Sequence, residues 1–146
     1  MRSMLLNLTA AYGLRAVATL AGLAPGESLN ATQLSERTRV PRQYLSKVMR
    51  KLVLAKLVRG RRGRGGGFSL KRPASSIRVA DVLRAIDVDP DMGCAFGYSE
   101  CDQAHPCPLH PIWSRLQASL EDWTGGSTLA DLADGAATPA RGARSR

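Results

Sequence analysis

The chain has 146 residues, of which 44% are hydrophobic, and it has a formal net charge of +9 and an isoelectric point near 10.3. This length allows one compact domain with an additional element and excludes two full domains. The positive charge favours a polyanionic partner, either nucleic acid or an anionic membrane surface.

The basic residues are concentrated in one segment. Residues 37–79 contain fourteen Lys or Arg residues and no Asp or Glu, whereas the rest of the chain has seven basic and twelve acidic residues. Because the positive charge is local and the remainder is acidic, this segment is predicted to bind double-stranded DNA rather than a membrane.

The first helix is predicted to begin at a Thr9 cap and to run to about Leu23. Its apolar residues resemble a secretory signal, but polar residues interrupt them and no run reaches the roughly eighteen apolar residues of a membrane span. The three cysteines are an odd number in a chain without an export signal, which indicates reduced thiols. We therefore predict a cytoplasmic protein.

Two short helices are predicted next. Asn30 and Gln33 have the spacing of a capping box, which predicts a helix from residue 30 to about Thr38. Pro41 then stands where a first helical residue is expected, and a second helix is predicted over 41–54. Its apolar residues recur at helical spacing; they are Leu45, Val48, Met49 and Leu52. The pair is typical of a helix-turn-helix.

The outward face of the second helix carries donors and small polar groups but no acid. These residues are Arg42, Gln43, Ser46, Lys47, Arg50 and Lys51. The alternative is an ordinary solvated helix face. Surface helices usually alternate charge, so the single sign favours contact with DNA.

Strand-like segments at 56–59 and 68–70 flank a Gly/Arg-rich stretch at 60–67. This pattern predicts a β-hairpin with a flexible cationic tip, which is a wing. Glycine allows close approach to a phosphate backbone, and arginine is favoured in narrow minor grooves. The alternative is a disordered linker, but the strand-like residues on both sides favour the wing.

A short helix is predicted over 77–87, and the longest helix is predicted to open at Pro108. The apolar residues of the longest helix keep a three-to-four spacing; they are Leu109, Ile112, Trp113, Leu116, Leu120 and Trp123. Packing on the first helix is one explanation, but the two-fold symmetry of many DNA sites favours a homodimer.

Three thiols and an imidazole lie within seventeen residues, at Cys94, Cys101, Cys107 and His110. The gaps of six and five residues are wider than those of zinc sites and suit a larger inorganic cluster. Idle or buried cysteines are the alternative, and His110 could equally be a surface histidine. His105 is predicted not to bind metal. No nucleophile–base pair or carboxylate pair is visible, so we do not expect an enzyme.

These motifs resemble the Rrf-type winged-helix transcription regulators of bacteria, whose iron–sulfur members are of the IscR and NsrR types. The similar segments are 12–16 in the first helix, Tyr44-Leu45 with Leu52, the wing at 62–68, and 112–113 with 129–132. The resemblance implies a mainly α fold with a small β-hairpin wing. It also implies a long C-terminal dimerisation helix, a homodimer on palindromic promoter DNA, and one iron–sulfur cluster in each subunit.

By this resemblance, Cys94, Cys101 and Cys107 match the family's three cluster ligands, and His110 matches the histidine of the IscR type. The NsrR type uses a first-helix carboxylate, where this chain has Ala11, so [2Fe–2S] is favoured over [4Fe–4S]. The first gap has six residues where the family commonly has five. A structural zinc site and a metal-free thiol redox switch are the alternatives.

The resemblance assigns base reading to Pro41, Gln43, Ser46 and Lys47, with Arg62 in the minor groove. The other predicted DNA contacts come from the outward face of the second helix and from the wing. The predicted set is Pro41, Arg42, Gln43, Tyr44, Ser46, Lys47, Arg50, Lys51, Arg61, Arg62 and Arg64. Gln43 suits adenine and Lys47 suits guanine. The resulting organisation is a DNA-binding domain at 1–88, a cluster loop and dimerisation helix at 89–134, and a disordered tail at 135–146.

Overall fold

The computed structural model describes residues 7–88, 93–97 and 104–136, with side chains to residue 133. The helices and strands are α1 (Leu8–Ala21), α2 (Ala31–Thr38), α3 (Arg42–Leu54), β1 (Val58–Arg61), β2 (Gly67–Leu70), α4 (Val79–Ala85), α5 (His110–Gly126) and α6 (Leu129–Ala136), with a 3-10 turn at Ala74–Ser76. The predicted fold class, mainly α with a small β-hairpin, is confirmed.

The start of α1 differs from the prediction. Asn7, not Thr9, is the N-cap, and its side chain accepts a hydrogen bond from the Ala10 N–H at 2.8 Å. Thr9 lies within the first turn. Further along α1, a Cβ at Gly13 would come within 2.7 Å of Ile86 Cδ1, so glycine allows the segment after α4 to pack closely on α1.

The capping box that opens α2 is confirmed. Asn30 Oδ1 accepts from the Gln33 N–H at 2.9 Å, and Gln33 Oε1 accepts from the Asn30 N–H at 3.0 Å. Arg39 has a φ of 55° and makes the turn to α3. Pro41 is the N-cap of α3 rather than its first helical residue. The second helix of the pair is therefore shorter by one residue than predicted.

The hairpin is antiparallel, with Val58 opposite Leu70 and Arg61 opposite Gly67. β1 begins two residues later than predicted, because Lys56 has a φ of 60° and belongs to the turn after α3. The hairpin is also attached to the residue before the α2 cap. Leu29 N–H donates to the Phe68 carbonyl at 3.0 Å, and Phe68 N–H donates to the Leu29 carbonyl at 2.7 Å.

The end of the chain returns to the first helix. α6 packs on α1, and Leu129 is fully buried in the same core as α1 to α4. The α5–α6 junction pairs with the start of α4: the Val79 N–H donates to the Ser127 carbonyl at 3.0 Å, and the Leu129 N–H donates to the Ile77 carbonyl at 2.9 Å. The C-terminal end of α5 is thus held against the DNA-binding half of the chain.

Candidate nucleic-acid interface and metal centre

α3 buries its apolar side and exposes its polar side. Leu45, Val48, Met49 and Leu52 are all at most 4% exposed. The helix is therefore oriented with the predicted DNA-contacting residues outward, and the exposed ones are Pro41, Arg42, Gln43, Tyr44, Ser46, Lys47 and Arg50. The same face carries no carboxylate of its own, which suits a polyanionic partner.

Two of the predicted DNA-contacting residues also have partners within the protein. The Tyr44 ring is 45% exposed, and its centroid lies 5.8 Å from that of Tyr12 on α1. Lys51 Nζ donates to Asp87 Oδ2 at 2.7 Å in a partly exposed ion pair. Tyr44 therefore helps to join α3 to α1, and Lys51 pairs with Asp87.

The hairpin carries the remaining predicted contacts, Arg61, Arg62 and Arg64, all of which are exposed. Gly63 and Gly65 have positive φ values of 92° and 71°, which L side chains rarely adopt, so glycine permits this tight turn. A groove of about 490 Å³ lies between the hairpin and α3 and includes Ser46, Arg50, Arg61 and Arg62 in its lining. The hairpin and α3 therefore form one basic surface.

The residue before Cys94 is anchored to α5. The Gly93 carbonyl accepts a hydrogen bond from Trp113 Nε1 at 2.6 Å and another from Gln117 Nε2 at 3.1 Å. Cys94 itself is 6% exposed, and its carbonyl accepts from the Gly97 N–H at 2.9 Å in a tight turn. The thiol-bearing turn is thereby placed beside the first half of α5.

The other described donors lie at the start of the same helix. His110 is the first residue of α5, and its N–H donates to the Cys107 carbonyl at 3.0 Å. Cys107 and His110 are both half-buried, whereas His105 is exposed. Cys101 lies outside the described residues. Among the residues that are described, no three His, Cys, Asp or Glu side chains form a metal-binding group.

The donor set fits an iron–sulfur cluster by its chemistry. Thiolates and imidazoles bind iron in clusters, and they also bind zinc. The anchoring of the Cys94 turn by Trp113 and Gln117 was not part of the sequence prediction, which placed Trp113 in an apolar stripe. The available signal was the indole N–H, since a partly buried tryptophan usually requires an acceptor.

A profile of the Rrf2 family, described as an iron-dependent transcriptional regulator, matches residues 6–135. The chain belongs to the Rrf2 family. It is 35% identical over 134 residues to an HTH-type transcriptional regulator of Mycobacterium tuberculosis, covering 91% of this chain and 83% of that protein. It is 33% identical over 99 residues to the HTH-type transcriptional regulator IscR of Vibrio campbellii, covering 68% of this chain and 59% of IscR.

The fold is similar to that of a solved Rrf2-like structure. CymR, the global cysteine regulator of Bacillus subtilis, superposes with a TM-score of 0.75 at 21% identity, covering 89% of this chain and 96% of CymR. The family match and the HTH-type relative show that the chain is a transcriptional regulator with a winged helix of the DNA-binding type. The family and the relatives named above are transcriptional regulators, not enzymes. In the part of the chain that the structure describes, no helix is long and apolar enough to cross a membrane.

Proposed function

We propose that this Rrf2 protein is a cytoplasmic regulator that binds palindromic promoter DNA as a homodimer and responds to the state of an iron–sulfur cluster. Cys94, Cys101, Cys107 and His110 would hold the cluster, with [2Fe–2S] favoured over [4Fe–4S]. The observation that carries this proposal is the Gly93 carbonyl, which joins the Cys94 turn to the helix that His110 begins.

The two hydrogen bonds to Gly93 make the position of the Cys94 turn depend on α5. Trp113 lies one helical turn after His110, so the Cys94 turn is anchored close to the end of α5 that carries His110. α5 contacts α4, and α4 contacts α3. A bound cluster would supply a redox-active group at this place, and its loss would free the segment that Gly93 anchors.

On the DNA side, the exposed face of α3 would occupy the major groove. Gln43 and Lys47 suit adenine and guanine, and Pro41 and Ser46 would lie beside them at the bases. Arg42 and Arg50 would hold phosphates, as would Lys51 once its ammonium leaves Asp87. In the hairpin, Arg62 would enter the minor groove, with Arg61 and Arg64 beside it and Tyr44 at the edge of α3.

The proposed homodimer interface is the apolar stripe of α5. Ile112 is 71% exposed, Leu116 is 47% exposed and Leu109 is 44% exposed, whereas Leu120 and Trp123 contact the core. Three large apolar side chains on one exposed helix face are expected to be covered by a partner. A second copy would also supply the second DNA-binding winged helix that a palindromic site requires.

The proposed function is tested by anaerobic purification, followed by visible and Mössbauer spectroscopy and by iron, sulfide and zinc analysis. We expect the protein to absorb visible light and to contain iron and sulfide. Both properties should be lost in the triple variant Cys94→Ala/Cys101→Ala/Cys107→Ala. A colourless protein containing zinc would favour the structural zinc site, and a metal-free protein whose DNA binding follows peroxide would favour the thiol switch. Equal operator affinity of the loaded protein and the triple variant would reject sensing.

Removing the indole donor to Gly93 is expected to loosen the cluster. Trp113→Phe keeps an aromatic ring but deletes the N–H, and a hydrogen bond of this kind is worth about 1 kcal/mol, so cluster loss on exposure to a chelator should be roughly fivefold faster. Trp123→Phe, on the same helix, is the matched control, since no hydrogen bond to Gly93 involves it. Equal rates in the two variants would show that the Trp113–Gly93 hydrogen bond does not hold the cluster segment.

A further inference from the structure

The hairpin has a second basic face, turned away from α3. Val58 is buried, and a Cβ at Gly60 would lie 3.4 Å from the Phe68 ring and 3.8 Å from Val53 of α3. Successive side chains of a strand point to opposite faces, so Arg59 and Arg61 lie on the other side of the hairpin. None of the DNA contacts proposed above includes Arg59.

This outer face borders a groove of about 620 Å³, whose opposite wall is the end of α1 and the turn at 23–28. Four exposed cationic residues line it: Arg59, Arg61, Lys71 and Arg72. The single acid in the lining is Glu27, and its Oε2 accepts a hydrogen bond from the Ala24 N–H at 3.1 Å. The groove is therefore strongly cationic.

None of the four cations forms an ion pair within the described part of the protein. The ion pairs found there are Lys51–Asp87 and Arg84–Asp81, and neither involves a residue of this groove. A concave surface lined by charges of one sign attracts ligands of the opposite charge. The charge pattern therefore indicates a polyanionic occupant.

The outer groove adjoins the groove between the hairpin and α3. Arg61 lines both the outer groove and the groove between the hairpin and α3. A duplex that lies on α3 with its backbone at the wing would pass this junction, and its next phosphates would lie at the outer groove. A phosphodiester backbone matches the positive charge of the groove.

We propose that the outer groove binds the phosphate backbone of the duplex that flanks the segment read by α3, so that each subunit contacts DNA beyond its wing. The proposal rests on DNA binding by the winged helix. Exposed lysine and arginine contacts to phosphate carry no base information, so this groove contributes affinity and salt dependence rather than sequence preference.

The test uses the full-length protein and one duplex that it selects from a random pool, prepared in two lengths. The short duplex is cut back to the minimum that retains base selectivity, and the long one adds about one helical turn, roughly 10 bp, at each end. Affinities are measured over a range of salt concentrations for the wild type and for Arg59→Ala/Lys71→Ala. Arg84→Ala is the control, because it removes an exposed arginine outside the groove.

We expect the wild type to bind the long duplex more tightly than the short one. The double variant should lose roughly tenfold or more on the long duplex near 0.1 M salt, and its salt slope should fall in magnitude by about 1.8, or about 0.9 for each lost contact. On the short duplex, the double variant should bind with the same affinity as the wild type. Arg84→Ala should leave the affinity for both duplexes unchanged.

If the double variant lost the same affinity on the two duplexes, Arg59 and Lys71 would contact the segment read by α3 and not the flanking DNA. That result would overturn the proposal. An unchanged affinity on both duplexes would exclude DNA from the groove, and so would a wild type that does not distinguish the two lengths. Selective binding of the short duplex by the wild type tests base reading by α3 separately, so failure of the groove proposal and failure of base reading are distinguishable.

Discussion

Ile112→Glu is expected to convert the proposed homodimer into monomers and to weaken binding to a palindromic duplex by roughly 10²- to 10⁴-fold. A carboxylate at this position would have to be buried without a partner in a dimer interface, which is costly. Ile112 is 71% exposed in the single chain, so the fold itself should be unaffected. A palindromic site has two halves, and each subunit of a dimer binds one of them. The large loss arises because a monomer binds one half alone, whereas in a dimer the first subunit raises the effective concentration of the second at the other half.

Sedimentation velocity and fluorescence anisotropy measure the two effects, with circular dichroism as a check of folding. Ala118→Glu is the matched control, since Ala118 is an exposed residue of α5 on the side opposite Ile112 and Leu116. A duplex with a single half-site should bind Ile112→Glu and the wild type about equally. A fully dimeric Ile112→Glu variant would show that the α5 stripe is not the interface.

Gly67→Ala is expected to destabilise the protein by roughly 2–4 kcal/mol, through backbone overlap and a φ of 155°. A Cβ at this position would lie 2.7 Å from the Leu29 carbonyl carbon and oxygen, and 3.0 Å from the Asn30 nitrogen. These atoms belong to the pairing that attaches the hairpin to α2, and backbone cannot rotate away as a side chain can. The free energy of unfolding is measured by urea denaturation at one protein concentration.

The comparison for Gly67→Ala is Gly26→Ala. Gly26 has a φ of 83°, but no atom lies within 4 Å of a Cβ there, so only conformational strain of about 1–2 kcal/mol is added. The difference between the two variants isolates the steric overlap with Leu29 and Asn30. If both variants lose the same free energy, the hairpin attachment has room for a side chain.

The local elements of this fold could be predicted because their causes are local. The Asn30–Gln33 capping box joins residues three apart, and the burial of α3 follows its apolar spacing. The error at α1 has the same origin, since Asn7 and Thr9 are both capping residue types two positions apart. Asparagine is the stronger N-cap of the two, and the apolar spacing does not distinguish the two starts.

The features of the candidate sites that were missed depend on contacts between distant parts of the chain. Trp113 and Gly93 are 20 residues apart, and Lys51 and Asp87 are 36 residues apart, so no spacing rule connects them. The donor types near Cys94 could be predicted from composition, but the helix that anchors them could not. The outer basic face could not be predicted because it depends on where β1 ends. The predicted strand ends at Arg59, whereas the observed strand extends through Arg61.

The backbone pairing of residues 77–79 with 127–129 fixes the C-terminal end of α5, so the helix can tilt about that end. Its C-terminal end is joined to the start of α4, while its N-terminal end carries His110 and faces the Cys94 turn. The helix has 17 residues and is about 25 Å long, so a tilt of about 5° would move its N-terminal end by roughly 2 Å while the Ser127 end stays in place. The displacement is greatest near Ile112, so a tilt of α5 would shift the surface that contacts the partner subunit in the proposed homodimer.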